Sequence, residues 1–334
     1  MCLHRPVLSG RVSLSFVVSV MLNKPITAYS FVVMGCAGAL LSLSGFLGRE
    51  FFLFELIASF KIHYLLALVC VLVLSLFIRF HSATLVLLCA IGIHGYEVVK
   101  LYIPTNSDKA TSGVTVRVMT TNLLLSNTDY RAQVEHVNRI DPDLIVFQEY
   151  SHDWHQALSA ELDDYPFIFS AAKNSPFGIA LYSKYELTNP EEVDFSGSIS
   201  LSLQANVDVD GAEFLFIGTH PVPPMSESLF HGRNVQMAKL GELAFQFPGS
   251  LILAGDLNTV TWSVWFKDLL DKGNLIDTRR GVGILATWPS WLFSAGIPID
   301  HIVVSDDIAV LGADAVRVPD SDHRSYWADL IIKP

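Results

Sequence analysis

Hydrophobic residues follow two regimes along this chain. Before Pro104 they come in long unbroken runs. Thr27 to Leu47 is twenty-one residues without a charge, Ile62 to Ile78 is seventeen, uncharged apart from His63, and Ser82 to Tyr96 is fifteen, with Glu97 and Lys100 at its end. A helix rises 1.5 Å per residue and needs roughly 20 mainly apolar residues to cross a bilayer core. The first run meets that length. The second meets it with Lys61 and Arg79 snorkelling outward, and the third when part of 97–103 completes it. Three transmembrane helices are therefore expected, at 27–47, 62–78 and 82–99. Core helices of a soluble protein would show a polar face every few residues, and these runs show almost none. The eleven-residue run Val12–Leu22 is too short to span. It has the length of a signal-peptide core without a clear cleavage site, and a translation start at Met21 is the alternative.

From Val114 the period changes to two. "VTVRVMTTN" alternates Val114, Val116 and Val118 on one face and ends at Thr120, Thr121, Asn122, the pattern of a half-buried strand. Val134, Val137 and Ile140 then recur at near-helical spacing, with Asn127 and Thr128 as candidate caps. An Asp-Pro turn leads into the strand Leu144–Phe147, followed by Gln148 and Glu149. Residues 177–184 and 200–209 read as strands, and "AEFLFIGTHP" as a strand ending at Thr219 and His220. A helical stripe runs through Phe230, Met237, Leu240, Ala244 and Phe247. "SLILAGDLN" predicts an apolar strand, Leu251–Ala254, that breaks at Gly255 and presents Asp256 and Asn258. "PIDHIVVS" begins a strand with Asp300, and Asp322 and His323 precede the final strand. Strands interleave with a few helices but lack a βαβ rhythm, which predicts an α/β sandwich of two mixed sheets with outer helices. The polar, breaker-rich stretch 103–113 marks a boundary between a membrane domain, 1–104, and one further domain, 105–334.

Charge follows the same division. The 334-residue chain is 51% hydrophobic, yet the excess lies in the N-terminal runs. Residues 1–104 hold seven Lys/Arg against three acids, whereas 105–334 hold fifteen against thirty, a formal −15. An acidic domain of that kind is ill suited to duplex DNA, which needs Lys and Arg to displace counterions. Arg233, Arg279, Arg280 and Arg324 are candidates for a local basic patch or solvated surface. All four cysteines lie before residue 90, so the second domain has neither a disulfide framework nor a cysteine-ligated zinc. Basic loop residues Arg5, Arg11, Lys24 and Arg79 outnumber Arg49, Lys61 and Lys100, which places the C-terminal domain on the non-cytoplasmic side.

Singly, each polar cluster has a structural explanation. Asn122 caps a helix, Glu149 is a surface residue at a strand exit, His220 a loop histidine, "GDLN" an Asx turn and "SDHR" an exposed turn. Asp300 fits such an explanation least, because an acid beside a buried apolar strand is costly unless paired. Together they are acids, amides and histidines just beyond apolar strands, and two packed sheets bring such ends to one rim. A phosphoester repels nucleophiles, and a hard divalent cation offsets its charge. Mg²⁺ needs only one or two carboxylates, and Glu149 is the leading one.

In this order "MTTNLL", "PDLIVFQE", "FGIALYSK", "GTHPVPP", "RNVQMAKL", "AGDLNT", "PIDHIVVS" and "DSDHRSYWADL" resemble the endonuclease/exonuclease/phosphatase superfamily, over roughly 115–332. That superfamily includes DNase I-like nucleases, abasic-site endonucleases, neutral sphingomyelinases and inositol polyphosphate 5-phosphatases. The resemblance implies a DNase I-like four-layer α/β sandwich, here preceded by transmembrane helices. It implies Mg²⁺, with Mn²⁺ able to substitute, at Glu149 with Asn122 and Asp322. Asp256 would orient and deprotonate the attacking water, and Asn258 would position that water or a transition-state oxygen. His323 would contact the scissile phosphate with Asp300 as its partner, and His220 would act as acid/base partner or phosphate ligand. Asn122, Asn258 and His220 would face the substrate. The expected activity is a membrane-anchored, metal-dependent phosphoesterase acting on a lipid headgroup, nucleotide or nucleic acid. The alternatives are a nuclease and, in another class, a non-catalytic membrane-tethered binding module. A transporter or sensor is disfavoured, because the spans hold few polar groups (His63, His94, Glu97). No protein partner is implied.

Overall fold

The computed structural model describes residues 25–104, 112–195, 197 and 199–334. The run Val12–Leu22, and most of the 103–113 stretch, fall outside them. The N-terminal segment is helical: α1 (Pro25–Leu43), continued by a 3₁₀ turn to Leu47, α2 (Phe52–Ser59), α3 (Lys61–Phe77) and α4 (His81–Val99), continued by a turn to Tyr102. Ala39, Leu68, Leu87 and Ala90 pack where α1, α3 and α4 meet. Phe31, Leu40, Leu66, Val73 and Leu85 point outward and exposed. Two helices are long and apolar enough to cross a membrane, Ala28–Leu47 with 20 residues and His81–Tyr102 with 22. The second expected span, 62–78, differs: α3 reaches that length only together with α2, across a 65° bend.

Beyond the segment lie two six-stranded mixed sheets. The first has the order β11 (Ala309–Arg317), β12 (Arg324–Ile332), β1 (Val114–Asn122), β2 (Leu144–Gln148), β4 (Ile179–Ser183), β3 (Phe167–Ala171). The second has the order β5 (Leu187–Val193), β6 (Ser202–Val209), β7 (Ala212–Thr219), β8 (Ser250–Asp256), β10 (Asp300–Ser305), β9 (Leu275–Asp277). Alternation along the strands makes four layers, because successive side chains point to opposite faces. Val116, Val118, Val146 and Leu181 of one sheet meet Phe214, Phe216, Ile252 and Ile302 of the other. Their neighbours Met119, Ile145 and Phe147 point outward to α5 (Tyr130–Ile140) and α6 (His152–Glu161). Leu215, Ile217, Leu251 and Leu253 point outward to α7 (Glu227–Gln246) and α8 (Val264–Gly273).

Caps explain where the helices start. Asp129 accepts from Ala132 N at 3.1 Å and begins α5, in place of the expected Asn127 or Thr128. Ser151, Ser226 and Ser263 do the same for α6, α7 and α8. The strand expected to break at Gly255 instead continues to Asp256. Glycine is required there because a Cβ would lie 1.8 Å from the Thr219 carbonyl oxygen, and the φ of +157° also disfavours other residues.

Candidate active site

Strand register assembles the polar ends. β1 and β2 are parallel with Asn122 opposite Gln148, so Asn122 and Glu149 emerge together. β12 runs antiparallel to β1 with Tyr326 opposite Thr120, which brings the preceding Asp322 and His323 to that rim. In the second sheet β7 and β8 are parallel with Gly218 beside Ala254, so His220 and Asp256 leave side by side. β10 is antiparallel to β8 and sets Asp300 directly opposite Asp256.

The side chains join the two sheets. Asn122 Nδ2 donates to Glu149 Oε1 at 3.1 Å and reaches Asp256 Oδ2 at 3.3 Å. Glu149 Oε2 accepts from Leu125 N at 2.7 Å. Asp256 Oδ1 accepts from Asn258 N at 2.9 Å, and Asn258 Nδ2 donates to Pro221 O at 3.0 Å. "GDLN" is thus an Asx turn and part of the cluster at once. Glu149 has a φ of +55°, a left-handed conformation that costs such a residue about 1–3 kcal/mol and concentrates at functional sites; Asn258, at +47°, is of the type that adopts it readily.

His323 lies between the two opposed carboxylates. Its Nδ1 donates to Asp300 Oδ2 at 2.9 Å and its Nε2 is 3.7 Å from Asp256 Oδ2. His220 Nε2 is 3.5 Å from the same Asp256 oxygen. Burial works against a charged imidazole, but Asp300 and Asp256 outweigh it and raise His323 to about 10. Burial likewise works against an ionised Asp256, and the two histidines outweigh it, holding the carboxyl well below its usual range. Below this layer Arg279 is fully buried over the Tyr326 ring, 4.0 Å from its centroid. It donates to the Asp300 carbonyl and, at 3.1 Å, to His301 Nδ1. A guanidinium can only donate, so His301 Nε2 carries the hydrogen and donates to Thr259 O at 2.8 Å. Burial, reinforced by Arg279, keeps His301 neutral, far below its ordinary value.

A cavity of about 380 Å³ opens over the cluster. Asn122, Glu149, His220, Asp256, Asn258, Asp322 and His323 line it on one side, and Leu56, Phe177, Met225 and Trp288 give an apolar wall. A larger cavity, about 840 Å³ beside α5 and α6, holds none of these groups. Asp256, Asp300 and His323 offer atoms within 4.8 Å of one another. In this geometry the imidazole of His323 spans the two acids, with its Nδ1 on Asp300 and its Nε2 facing Asp256. Glu149 and Asp322 line the cavity with hard carboxylate oxygens, the donor type that suits a cation such as Mg²⁺, while Asn122 turns its Nδ2 to Glu149 and its Oδ1 to Leu124 N. Asp322 Oδ2 is steadied by the Trp288 indole N–H at 2.9 Å.

Two features depart from expectation. Arg233 and Arg279 are fully buried, not a surface patch, because each cation has internal partners. Glu55 of α2 also lines the cavity, 2% exposed. Its signal is a lone carboxylate in the apolar run "FFLFELIASF", where an unpaired charge is costly.

The model of the Endonuclease/Exonuclease/phosphatase family matches residues 119–323, a stretch holding every cluster residue above except Glu55. Solved structures share the fold. A D. rerio TDP2 humanized by 14 mutations superposes with a TM-score of 0.55 at 15% identity, covering 65% of this chain and 98% of its own. An endonuclease/exonuclease/phosphatase from Bacteroides vulgatus gives 0.56 at 19%, covering 66% and 100%. A family protein from Bacteroides thetaiotaomicron gives 0.55 at 17%, covering 67% and 99%. No curated protein matches by sequence.

Proposed function

The chain belongs to the endonuclease/exonuclease/phosphatase family, whose members hydrolyse phosphoester bonds, and from that premise we propose a membrane-anchored, divalent-metal-dependent phosphoesterase that works by water attack. The observation that carries this reading is the meeting of Glu149, Asn122, Asp256, Asn258, His220 and His323 at one cavity, brought there by both sheets.

Glu149, with Asn122 and Asp322, would hold the cation, which when bound would offset the phosphoryl charge and stabilise the leaving oxygen. The chain's own groups do the rest. His323, kept cationic by Asp300, hydrogen-bonds a phosphoryl oxygen and stabilises charge that grows in the transition state. Asp256 stays ionised, accepts a hydrogen bond from the water and aims it at phosphorus. His220 relays the proton at the same carboxylate. Asn258 holds a phosphoryl oxygen from the other side.

Membrane anchoring is supported by the two apolar helices of spanning length. A substrate at the bilayer surface, a phospholipid headgroup, is supported by α2, which lends Leu56 and Ser59 to the cavity wall. The acidic balance after residue 104 and the burial of Arg233 and Arg279 weigh against nucleic acid.

The test uses the full chain in lipid nanodiscs with sphingomyelin, phosphoinositides, bis-p-nitrophenyl phosphate, RNA and plasmid DNA, each with Mg²⁺, Mn²⁺ or EDTA. The expected result is metal-dependent hydrolysis, strongest on lipid and lost in Glu149→Ala and His323→Ala. Cleavage of nucleic acid alone would replace this reading with a nuclease. No hydrolysis by a folded wild-type chain would favour the non-catalytic module.

A further inference from the structure

Glu55 lies before the family-matched residues 119–323, yet it holds part of the site in place. Its Oε1 accepts from Thr259 Oγ1 at 3.1 Å and Ser263 Oγ at 2.6 Å, and pairs with Arg233 Nη2 at 3.1 Å. Arg233 Nη1 in turn donates to the Asn258 carbonyl at 3.0 Å. The Trp262 indole N–H donates to Ala58 O at 2.6 Å. Residues 258–263, which begin two positions after Asp256, are therefore clasped by α2 on one side. On the other, His301 holds the Thr259 carbonyl.

The clasp fixes where Asn258 sits. Its backbone is left-handed, at φ +47°, a conformation asparagine adopts readily, so the position of the turn is set by what grips its carbonyl. The cation that grips its carbonyl is fully buried, and Glu55 is the counterion in reach. Removing the Glu55 charge leaves Arg233 buried and uncompensated, which favours its escape toward water and release of Asn258.

We infer that Glu55 is a positioning residue of the active site, supplied by the membrane-associated segment. Through Arg233, Thr259 and Ser263 it sets the placement of Asn258 against the reacting phosphoryl group. The inference rests on the proposed phosphoesterase reading for its rate measurement alone.

Two full-chain variants test it, Glu55→Gln, and Glu55→Gln combined with Arg233→Met. The second removes both buried charges, so it restores stability where the pair serves stability only. Hydrogen–deuterium exchange is read at 258–263 and at β2. Positioning predicts that 258–263 exchanges about tenfold faster in Glu55→Gln while β2 is unchanged. It predicts that kcat on bis-p-nitrophenyl phosphate falls by up to about 10²-fold with KM unchanged, and stays low in the double variant after its melting temperature recovers. Wild-type exchange at 258–263 in Glu55→Gln overturns the inference, as does a kcat that returns with stability in the double variant. A wild-type chain that cleaves nothing overturns the functional reading instead, and the exchange measurement still decides the role of Glu55.

Discussion

Asp256 and Asp300 stand directly opposite each other across β8 and β10. Like charges in that position repel, and the imidazolium of His323, hydrogen-bonded to one and 3.7 Å from the other, is what makes the arrangement stable. Asp300→Asn keeps the shape and removes one of the two charges that hold His323 protonated. The expected outcome is a fall in kcat of about 10²-fold or more with an unchanged circular-dichroism spectrum. A rate close to wild type would remove the Asp300–His323 pair from the reaction.

His136 offers a pH test away from the site. It is fully buried, its Nδ1 accepts from Arg139 and its Nε2 donates to Ser325 Oγ, both at 2.8 Å. Burial and then Arg139 lower it from 6.5 to about 4. The unfolded chain takes up a proton between those values and the folded chain does not. Stability from this group is complete above pH 6.5 and is lost as pH falls towards 4, by about 3 kcal/mol. Melting temperatures at pH 7 and 4.5 should separate more in wild type than in His136→Gln.

Gly255→Ala should unfold the second sheet locally. The added Cβ would sit 1.8 Å from the Thr219 carbonyl oxygen, a backbone atom with no rotamer in which to retreat. A loss of about 3 kcal/mol, the upper end of ordinary overpacking, is expected as a lowered melting temperature. Full stability would mean that β7 and β8 separate without cost.

The sequence foreshadowed the strand ends because buried strands write themselves as apolar alternation, and Asn122, Glu149, His220, Asp256, Asp300 and His323 each interrupt or end such a run. The edge strands β5 and β11 were not legible: "LTNPEEV" and "AVLGADAVR" are largely exposed or half-buried, so nothing forces alternation. Arg233 and Glu55 escaped for a different reason. Each is a charge whose partner is 178 positions away in a separate element, and only the tertiary fold makes the pair.

That pair predicts a reversal of sign. Arg233→Met alone strands Glu55 as a buried, unpaired charge and should destabilise the chain by about 3–5 kcal/mol. In a Glu55→Gln background the same change removes an uncompensated buried cation and should stabilise it. Urea titrations of the four full-length proteins check this. The same direction in both backgrounds would mean that the two charges do not depend on each other.

Glu55 is not alone at this junction. Arg49 pairs with Asp268, Lys267 with Glu97, and the Trp265 indole donates to the Gly48 carbonyl. A catalytic unit on a flexible tether sweeps a volume that grows with the tether. One bolted to its anchor at several points sweeps none, and its cavity keeps a fixed height and tilt. If α1 and α4 lie in a bilayer and the substrate is a lipid, as proposed above, such an enzyme would meet substrate by lateral diffusion, and its rate would follow the number of molecules per unit area, not per unit volume.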